Sequence, residues 1–128
     1  MKTEISTDSV FTGGIEYVPK SEMIQNHVST DGLPYVIIRT YSAGVHFGYL
    51  KKKESTLAGM EVTLLNSQRM RIWTGAMDLS QLAMEGSKSP ETCKPSVVCS
   101  EIQLIAIEII PISEIAARQF KSMKIWKS

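Results

Sequence analysis

Two segments of alternating β-branched and aromatic residues, joined across a glycine, constrain the fold of this chain more than any other feature. Residues 35–41 read YVIIRTY, residues 45–53 read VHFGYLKKK, and Ser42-Ala43-Gly44 separates them. β-branched and aromatic side chains favour strands, and glycine accepts the positive φ that a tight hairpin turn needs. The pattern therefore predicts a β-hairpin. Gly48 inside the second strand indicates close packing or a bulge.

Further strands are predicted after this hairpin. Ser55–Gly59 is predicted as a turn and Glu61–Leu65 as a strand. Asn66-Ser67 is a typical turn signal, and Arg69–Thr74 alternates like a fourth strand. The strands at Glu61–Leu65 and Arg69–Thr74 are therefore predicted to form a second hairpin.

Two helices are predicted from capping residues and apolar spacing. Leu79–Glu85 follows Asp78, a good N-cap, and precedes Gly86, which suits the residue after a helix end. Ser113 caps a second predicted helix at Glu114–Met123, which has apolar residues along one side.

The strand predicted at Glu101–Ile110 is apolar on both alternating sets, which favours a central or doubly covered position. The predicted fold class is α+β: a small curved antiparallel sheet or partial β-barrel of about five strands, with one short helix and one C-terminal helix. Residues 1–33 are polar and turn-rich and predict an N-terminal arm, partly disordered. Residues 34–128 are predicted to form a single globular domain.

The composition is that of an ordinary globular protein, with 43% hydrophobic residues and a formal net charge of +1 over 128 residues. This charge provides no general attraction to nucleic acid or to an anionic membrane. MKTEISTDSV lacks the apolar segment of a signal peptide, and no run approaches the roughly 18 apolar residues of a membrane span. A cytoplasmic protein is expected. Cys93 and Cys99 are then expected as free thiols, with a disulfide as the alternative if the protein is exported.

The sequence contains none of the common catalytic or phosphate-binding motifs: no Gly-x-Gly-x-x-Gly, no phosphate loop and no Gly-x-Ser-x-Gly. His46 lies near Ser42 and Tyr41, but no acid is visibly placed to orient its ring. A histidine on one face of a hairpin is therefore favoured over a catalytic base. The prediction is a protein without enzymatic activity, cofactor or metal.

Arginine and aromatic residues alternate on two of the predicted strands. Arg39 and Tyr41 share one face of their strand, as do Arg69, Arg71 and Trp73 on theirs. Arginine binds phosphate through a planar fork of donors, and aromatic rings stack on bases. Alternatively, Trp73 belongs to the core and the arginines pair with carboxylates. The predicted ligand-binding residues are Arg39, Tyr41, Ser42, Gly44, His46, Arg69, Arg71 and Trp73.

Glu108 is unusual because it interrupts an otherwise apolar segment. A carboxylate in an apolar strand needs a partner if it is buried. It is expected either at a sheet edge or paired with one of the arginines Arg39, Arg69 and Arg71.

The runs RTYSAGVHFGYL, IWTGAMDLSQLAMEG, ETCK and AIEIIPISE resemble a family of small uncharacterised proteins of tailed bacteriophages and prophages. The resemblance covers about residues 35–114. It implies an accessory protein of the host cytoplasm, here expected to sequester a nucleotide-like immune signal, as a homo-oligomer whose copies close a shallow site. The alternative is a module that binds a host or virion protein through a strand edge or the tail around Trp126. An enzyme using His46 is a third possibility.

Overall fold

The computed structural model describes residues 10–12, 15–17 and 24–128. The first two segments are the strands β1 (Val10–Thr12) and β2 (Ile15–Tyr17), which pair antiparallel as a small separate sheet. Most of the predicted N-terminal arm lies outside the described residues. Its last part, residues 24–33, is placed against the main sheet: the His27 N–H donates to Ile112 O, and the Tyr35 N–H donates to His27 O.

The main sheet has five antiparallel strands in the order β6-β5-β4-β3-β7. Two α-helices accompany it in the described residues, so the predicted α+β fold is confirmed. The elements are β3 (Tyr35–Arg39), β4 (Val45–Thr56), β5 (Gly59–Arg69), α1 (Leu79–Glu85), β6 (Cys99–Ala106), β7 (Glu108–Pro111) and α2 (Glu114–Ser122).

The two edge strands of this sheet are almost continuous in sequence. Only Ile107 separates β6 from β7, and its N–H donates to Arg39 O at 2.8 Å. β6 pairs with β5 and β7 pairs with β3, so the sheet must curl for one chain segment to reach both. The curled sheet is not closed by a ladder between its edges in the part of the chain that the structure describes.

The prediction of one central strand at Glu101–Ile110 was therefore wrong. The segment is broken at Ile107, and both halves are edge strands. The break at Ile107 changes which alternate residues face the core. Leu104 and Ala106 before the break belong to one core cluster, and Ile109 after it belongs to the same cluster although it lies an odd number of positions from both. Apolar residues therefore occupy both alternating sets of this segment because it consists of two strands whose buried faces are offset by one residue, and not because one strand is covered on both sides.

The predicted second hairpin, Glu61–Leu65 with Arg69–Thr74, was also wrong. Residues 59–69 form the single strand β5, which pairs with β4 across a turn at residues 57–58. Asn66 adopts a φ of 50°, in the left-handed region that its turn-like chemistry permits. Here it forms a bulge, because the pairs Phe47↔Gln68 and Tyr49↔Leu65 leave one extra residue in β5.

The core lies on both sides of the curled sheet. On the first side, Tyr35, Ile37 and Phe47 pack against Leu82 of α1 and Phe120 of α2. The second side is the concave interior of the sheet, where residues from β3, β5 and β6 meet. Its buried members are Val36, Ile38, Val62, Leu64, Leu104 and Ala106.

Local capping confirms both predicted helices. Asp78 accepts a hydrogen bond from the Gln81 N–H at 2.8 Å, and Ser113 accepts one from the Ala116 N–H at 3.0 Å. Gly86 ends α1 with a φ of 79°. No helix in residues 24–128 has the length and apolar character needed to cross a bilayer.

Candidate functional site: the arginine groove and the Tyr49–His27–Glu114 relay

The turn between β3 and β4 is held by its own polar groups. Gly44 has a φ of 85°, which a residue with a side chain would adopt only under strain. The Thr40 hydroxyl donates to Gly44 O and accepts from the Ala43 N–H, both at 2.8 Å. The turn therefore has a defined shape, and Ser42 is exposed at its tip.

Two adjacent surface depressions share the side chains of Arg69 and Arg71. One, of about 400 Å³, is also lined by Trp73 and the turn residues Ser42 and Gly44. The other, of about 250 Å³, includes buried His46 and an exposed cysteine thiol. We call the pair the arginine groove. Its residues are Ser42, Ala43, Gly44, Val45, His46, Ser67, Arg69, Met70, Arg71, Trp73, Ser96, Val97, Cys99 and Ile102.

The groove is positively charged. Within the described ranges, no Asp or Glu lines either depression, and neither Arg69 nor Arg71 is within ion-pair distance of a carboxylate. Hydrogen bonds of the backbone N–H groups fix the main chain at both residues: the Arg69 N–H donates to Ser96 Oγ, and the Arg71 N–H donates to Lys94 O. The two guanidinium groups therefore extend from fixed backbone positions and are available to an anion.

The structure does not bring Arg39 and Tyr41 into the groove. Arg39 Nε donates to Glu108 Oε1 at 2.7 Å, since the two residues are direct partners between β3 and β7. Glu108 therefore lies in an edge strand and also pairs with an arginine, so both of the placements expected for it are observed. Tyr41 is 92% exposed and lines neither depression.

His46 is buried beneath the turn, with 1% of its surface exposed. A ring nitrogen, Nε2, lies 2.9 Å from Ala43 O, so this nitrogen carries the proton and donates. Burial lowers the pKa of His46; the hydrogen bond to Ala43 opposes that shift, and the charge of Arg69 adds to it. The imidazole is therefore neutral at pH 7 and supports the turn from below.

Trp73 combines the two roles considered for it. It is half-buried and packs against the cluster that contains Leu79 and Leu82 of α1. It also lines the larger depression beside Arg71. The larger depression thus contains the predicted ligand-binding residues Arg69, Arg71 and Trp73, although residues 70–74 do not form a strand.

A second polar arrangement, unforeseen in the sequence, joins three distant elements. His27 Nδ1 lies 2.8 Å from Glu114 Oε1, and His27 Nε2 lies 2.8 Å from the Tyr49 hydroxyl. We call this the Tyr49–His27–Glu114 relay. His27 lies in the predicted arm and Glu114 in the first turn of α2, so only the folded chain shows that they meet. No three His, Cys, Asp or Glu side chains cluster as metal ligands within the described ranges.

The C-terminal tryptophan packs on the chain itself. The Trp126 indole N–H donates to Cys93 O at 3.2 Å, and its backbone N–H donates to Pro95 O at 2.9 Å. The ammonium groups of Lys94 and Lys124 lie 4.7 and 4.9 Å from its ring centroid. Both cysteines are free, Cys93 buried and Cys99 exposed.

The sequence of this chain matches a known protein family. Residues 33–120 match the family described as "Domain of unknown function (DUF6948)". The chain belongs to the DUF6948 family. The DUF6948 match includes the whole arginine groove together with Tyr49 and Glu114, whereas His27 precedes it. No curated protein and no solved structure matches the chain.

Proposed function

We propose that this DUF6948 protein captures a small, phosphate-bearing, nucleotide-like ligand in the arginine groove without changing it chemically. The observation that carries the proposal is the pair Arg69 and Arg71, which line both depressions and meet no carboxylate among the described residues. Guanidinium groups bind phosphate through paired hydrogen bonds, and a site without competing anions favours such a ligand.

Each part of the groove has a role in this proposal. Arg69 and Arg71 bind phosphate, the half-buried ring of Trp73 stacks on a base, and the Ser42 hydroxyl adds a donor at the rim. The Ala43 N–H is already bonded to Thr40, so it is not the donor. Arg39 and Tyr41 do not contact the ligand, and neutral His46 stabilises the turn between β3 and β4.

The biological role we propose follows from the resemblance to phage proteins. The protein acts in the host cytoplasm and sequesters a nucleotide signal of host immunity. Capture needs affinity alone, so it requires no general acid or base. Because the groove is shallow, we propose that two or more copies associate and enclose the ligand.

Thermal unfolding with a panel of nucleotides tests the proposal. Cyclic dinucleotides, cyclic trinucleotides and ADP-ribose are compared with inorganic phosphate, and a captured ligand raises the melting temperature by mass action. Arg69→Met and Arg71→Met should each abolish the shift. Arg118→Met, a change at an exposed arginine on α2, should leave it intact. A folded protein that shows no shift with any member of the panel would refute the proposal.

The exposed thiol of Cys99 gives an independent measurement at the same site. Cys99 lines the smaller depression, whereas Cys93 is buried, so an alkylating reagent should modify Cys99 first. A ligand in the groove should slow this alkylation, and the protection should disappear in Arg71→Met. Protection that persists in Arg71→Met would place the ligand elsewhere.

A second candidate function is docking of a host or virion protein on the open edge of the sheet. Ile105 and Ile107, in and next to the edge strand β6, are 39% and 48% exposed, and Leu57 in the β4–β5 turn is fully exposed. Exposed apolar residues at a strand edge suit β-strand addition. Here Ile105→Lys should release the bound partner, and removal of residues 127–128, beyond the docked Trp126, should not.

A further inference from the structure

We infer that a second site, separate from the arginine groove, binds a small organic carboxylate that has an apolar body and an O–H or N–H donor next to its carboxylate. The site is a pocket of about 310 Å³, which we call the tyrosine pocket. Tyr35, Tyr49, Asn66, Lys121 and the apolar residues of α2 and the tail line it. Its volume is at the lower end of the range for small-molecule sites.

The relay determines what Tyr49 offers to a ligand. An ionised carboxylate only accepts hydrogen bonds, so His27 Nδ1 donates its proton to Glu114. In the neutral imidazole the other nitrogen, Nε2, then accepts, and the Tyr49 O–H donates to it. With His27 neutral, the Tyr49 oxygen has lone pairs free to face the pocket, and these suit a ligand O–H or N–H.

Tyr35 offers a buried hydroxyl. The residue is 2% exposed and lines the pocket, and its hydroxyl has no hydrogen-bond partner among the described residues. A buried polar group without a partner is costly, and a ligand oxygen would satisfy this one. The ring is fixed by neighbouring rings, since Tyr35 and Tyr49 lie 4.7 Å apart between centroids.

Lys121 gives the pocket its charge. Its ammonium group lies 4.8 Å from the ring centroids of both Tyr35 and Tyr49, so cation–π contacts hold it above the aromatic floor. No carboxylate of the described residues lies within ion-pair distance of it. A positioned cation without a counter-ion, next to a hydroxyl in need of a partner, matches a carboxylate.

The remaining walls are apolar. Phe120 and Met123 of the C-terminal region are buried beneath the pocket, and Val98 and Ile125 are half-exposed at its rim. These residues suit the hydrocarbon or aromatic part of a ligand. Asn66, held in the left-handed conformation by the β5 bulge, adds its side-chain amide.

Titration of three related compounds, followed by amide NMR shifts, tests the inference. The probes are phenyllactate, phenylacetate and phenylacetamide, which differ in the hydroxyl donor and the charge. Phenyllactate should bind most tightly, phenylacetate less tightly, and the uncharged amide about tenfold more weakly than phenylacetate. The shifted amides should lie around Tyr35, Tyr49 and Phe120 rather than around Arg69.

Variants separate the pocket from general effects of charge. Lys121→Met should weaken phenyllactate about tenfold, whereas Lys53→Met, at an exposed lysine of β4, should not change its affinity. Tyr35→Phe should weaken phenyllactate about fivefold, and Tyr41→Phe should leave it unchanged. Equal binding of the amide and the acid, or no binding of any probe to the folded protein, would overturn the inference.

The stability of Tyr35→Phe gives a test without a ligand. If the Tyr35 hydroxyl lacks a partner, its removal leaves the urea midpoint unchanged or raises it. A lower midpoint in Tyr35→Phe would mean that the hydroxyl is already satisfied in the free protein. That result would remove the main reason for placing a ligand oxygen there.

Discussion

The most specific structural prediction concerns Gly48, which lies opposite the bulge of β5. A Cβ atom added at Gly48 would lie 2.9 Å from Ser67 Cα, 3.0 Å from Leu65 O and 3.0 Å from Ser67 Cβ. Two of these neighbours are backbone atoms of the adjacent strand, which cannot move aside as a flexible side chain can. Gly48→Ala must therefore push β4 and β5 apart where β4 places Tyr49 against His27.

The expected cost follows from two opposing terms. Overpacking of this kind costs about 1–3 kcal/mol, and the smaller conformational entropy of the unfolded alanine chain returns about 0.4–1 kcal/mol. The difference between the two terms spans about 0 to 2.6 kcal/mol, and its midpoint is a net loss of about 1.3 kcal/mol in the free energy of unfolding. With a urea m-value of about 2 kcal/mol per molar, the midpoint should fall by about 0.5–1 M with no change in slope.

Urea unfolding followed by tryptophan fluorescence measures this shift. Ser55→Ala, an exposed change further along β4, is the control and should stay within about 0.5 kcal/mol of the wild type. A Gly48→Ala protein as stable as the wild type would show that the two backbones do not approach so closely. The bulge would then not be the reason for glycine at this position.

Two further predictions concern conformation and protonation. Asn66→Val should destabilise the protein by about 1–2 kcal/mol because a β-branched residue is strained at positive φ, while Asn66→Gly should match or exceed wild-type stability in the same urea assay. His46→Gln should flatten the dependence of stability on pH. Burial lowers the pKa of His46 in the folded protein, and the unfolded chain keeps the ordinary value of 6.5, so the wild type loses stability as the pH falls below 6.5 toward the folded-state pKa. Urea midpoints at about pH 7.5 and about pH 5.5 should differ more in the wild type than in His46→Gln, and an equal difference in both proteins would contradict the assignment of a neutral, buried His46.

Local chemistry accounts for the elements that could be predicted from the sequence. The first hairpin depends on the alternation of residues 35–39 and on a glycine that accepts positive φ at position 44. The helices depend on Asp78 and Ser113, each of which bonds to an N–H three residues away. Interactions of such short range need no knowledge of the rest of the fold.

The arginine groove could be predicted only in part, because it combines local and distant residues. Arg69, Arg71 and Trp73 lie within five positions, and their composition pointed to a phosphate site. Their position beside Ser42 and Gly44 depends on the pairing of β4 with β5. Arg39 was expected with them, but the pairing of β3 with β7 places it next to Glu108 instead. Strand alternation gives the face of a residue and does not give its neighbours across the sheet.

What the sequence by itself determined is therefore the kind of element at each position: strands, turns, capped helices and residues able to bind an anion. Tertiary structure alone decided whether Asn66 formed a turn or a bulge, since its left-handed conformation suits both and strand pairing chose between them. It also decided the division of the last strand at Ile107, which the curl of the sheet requires. The Tyr49–His27–Glu114 relay also depends on tertiary structure alone. His27 lies 22 positions from Tyr49 and 87 from Glu114, and only packing of the folded chain brings these side chains within hydrogen-bond distance.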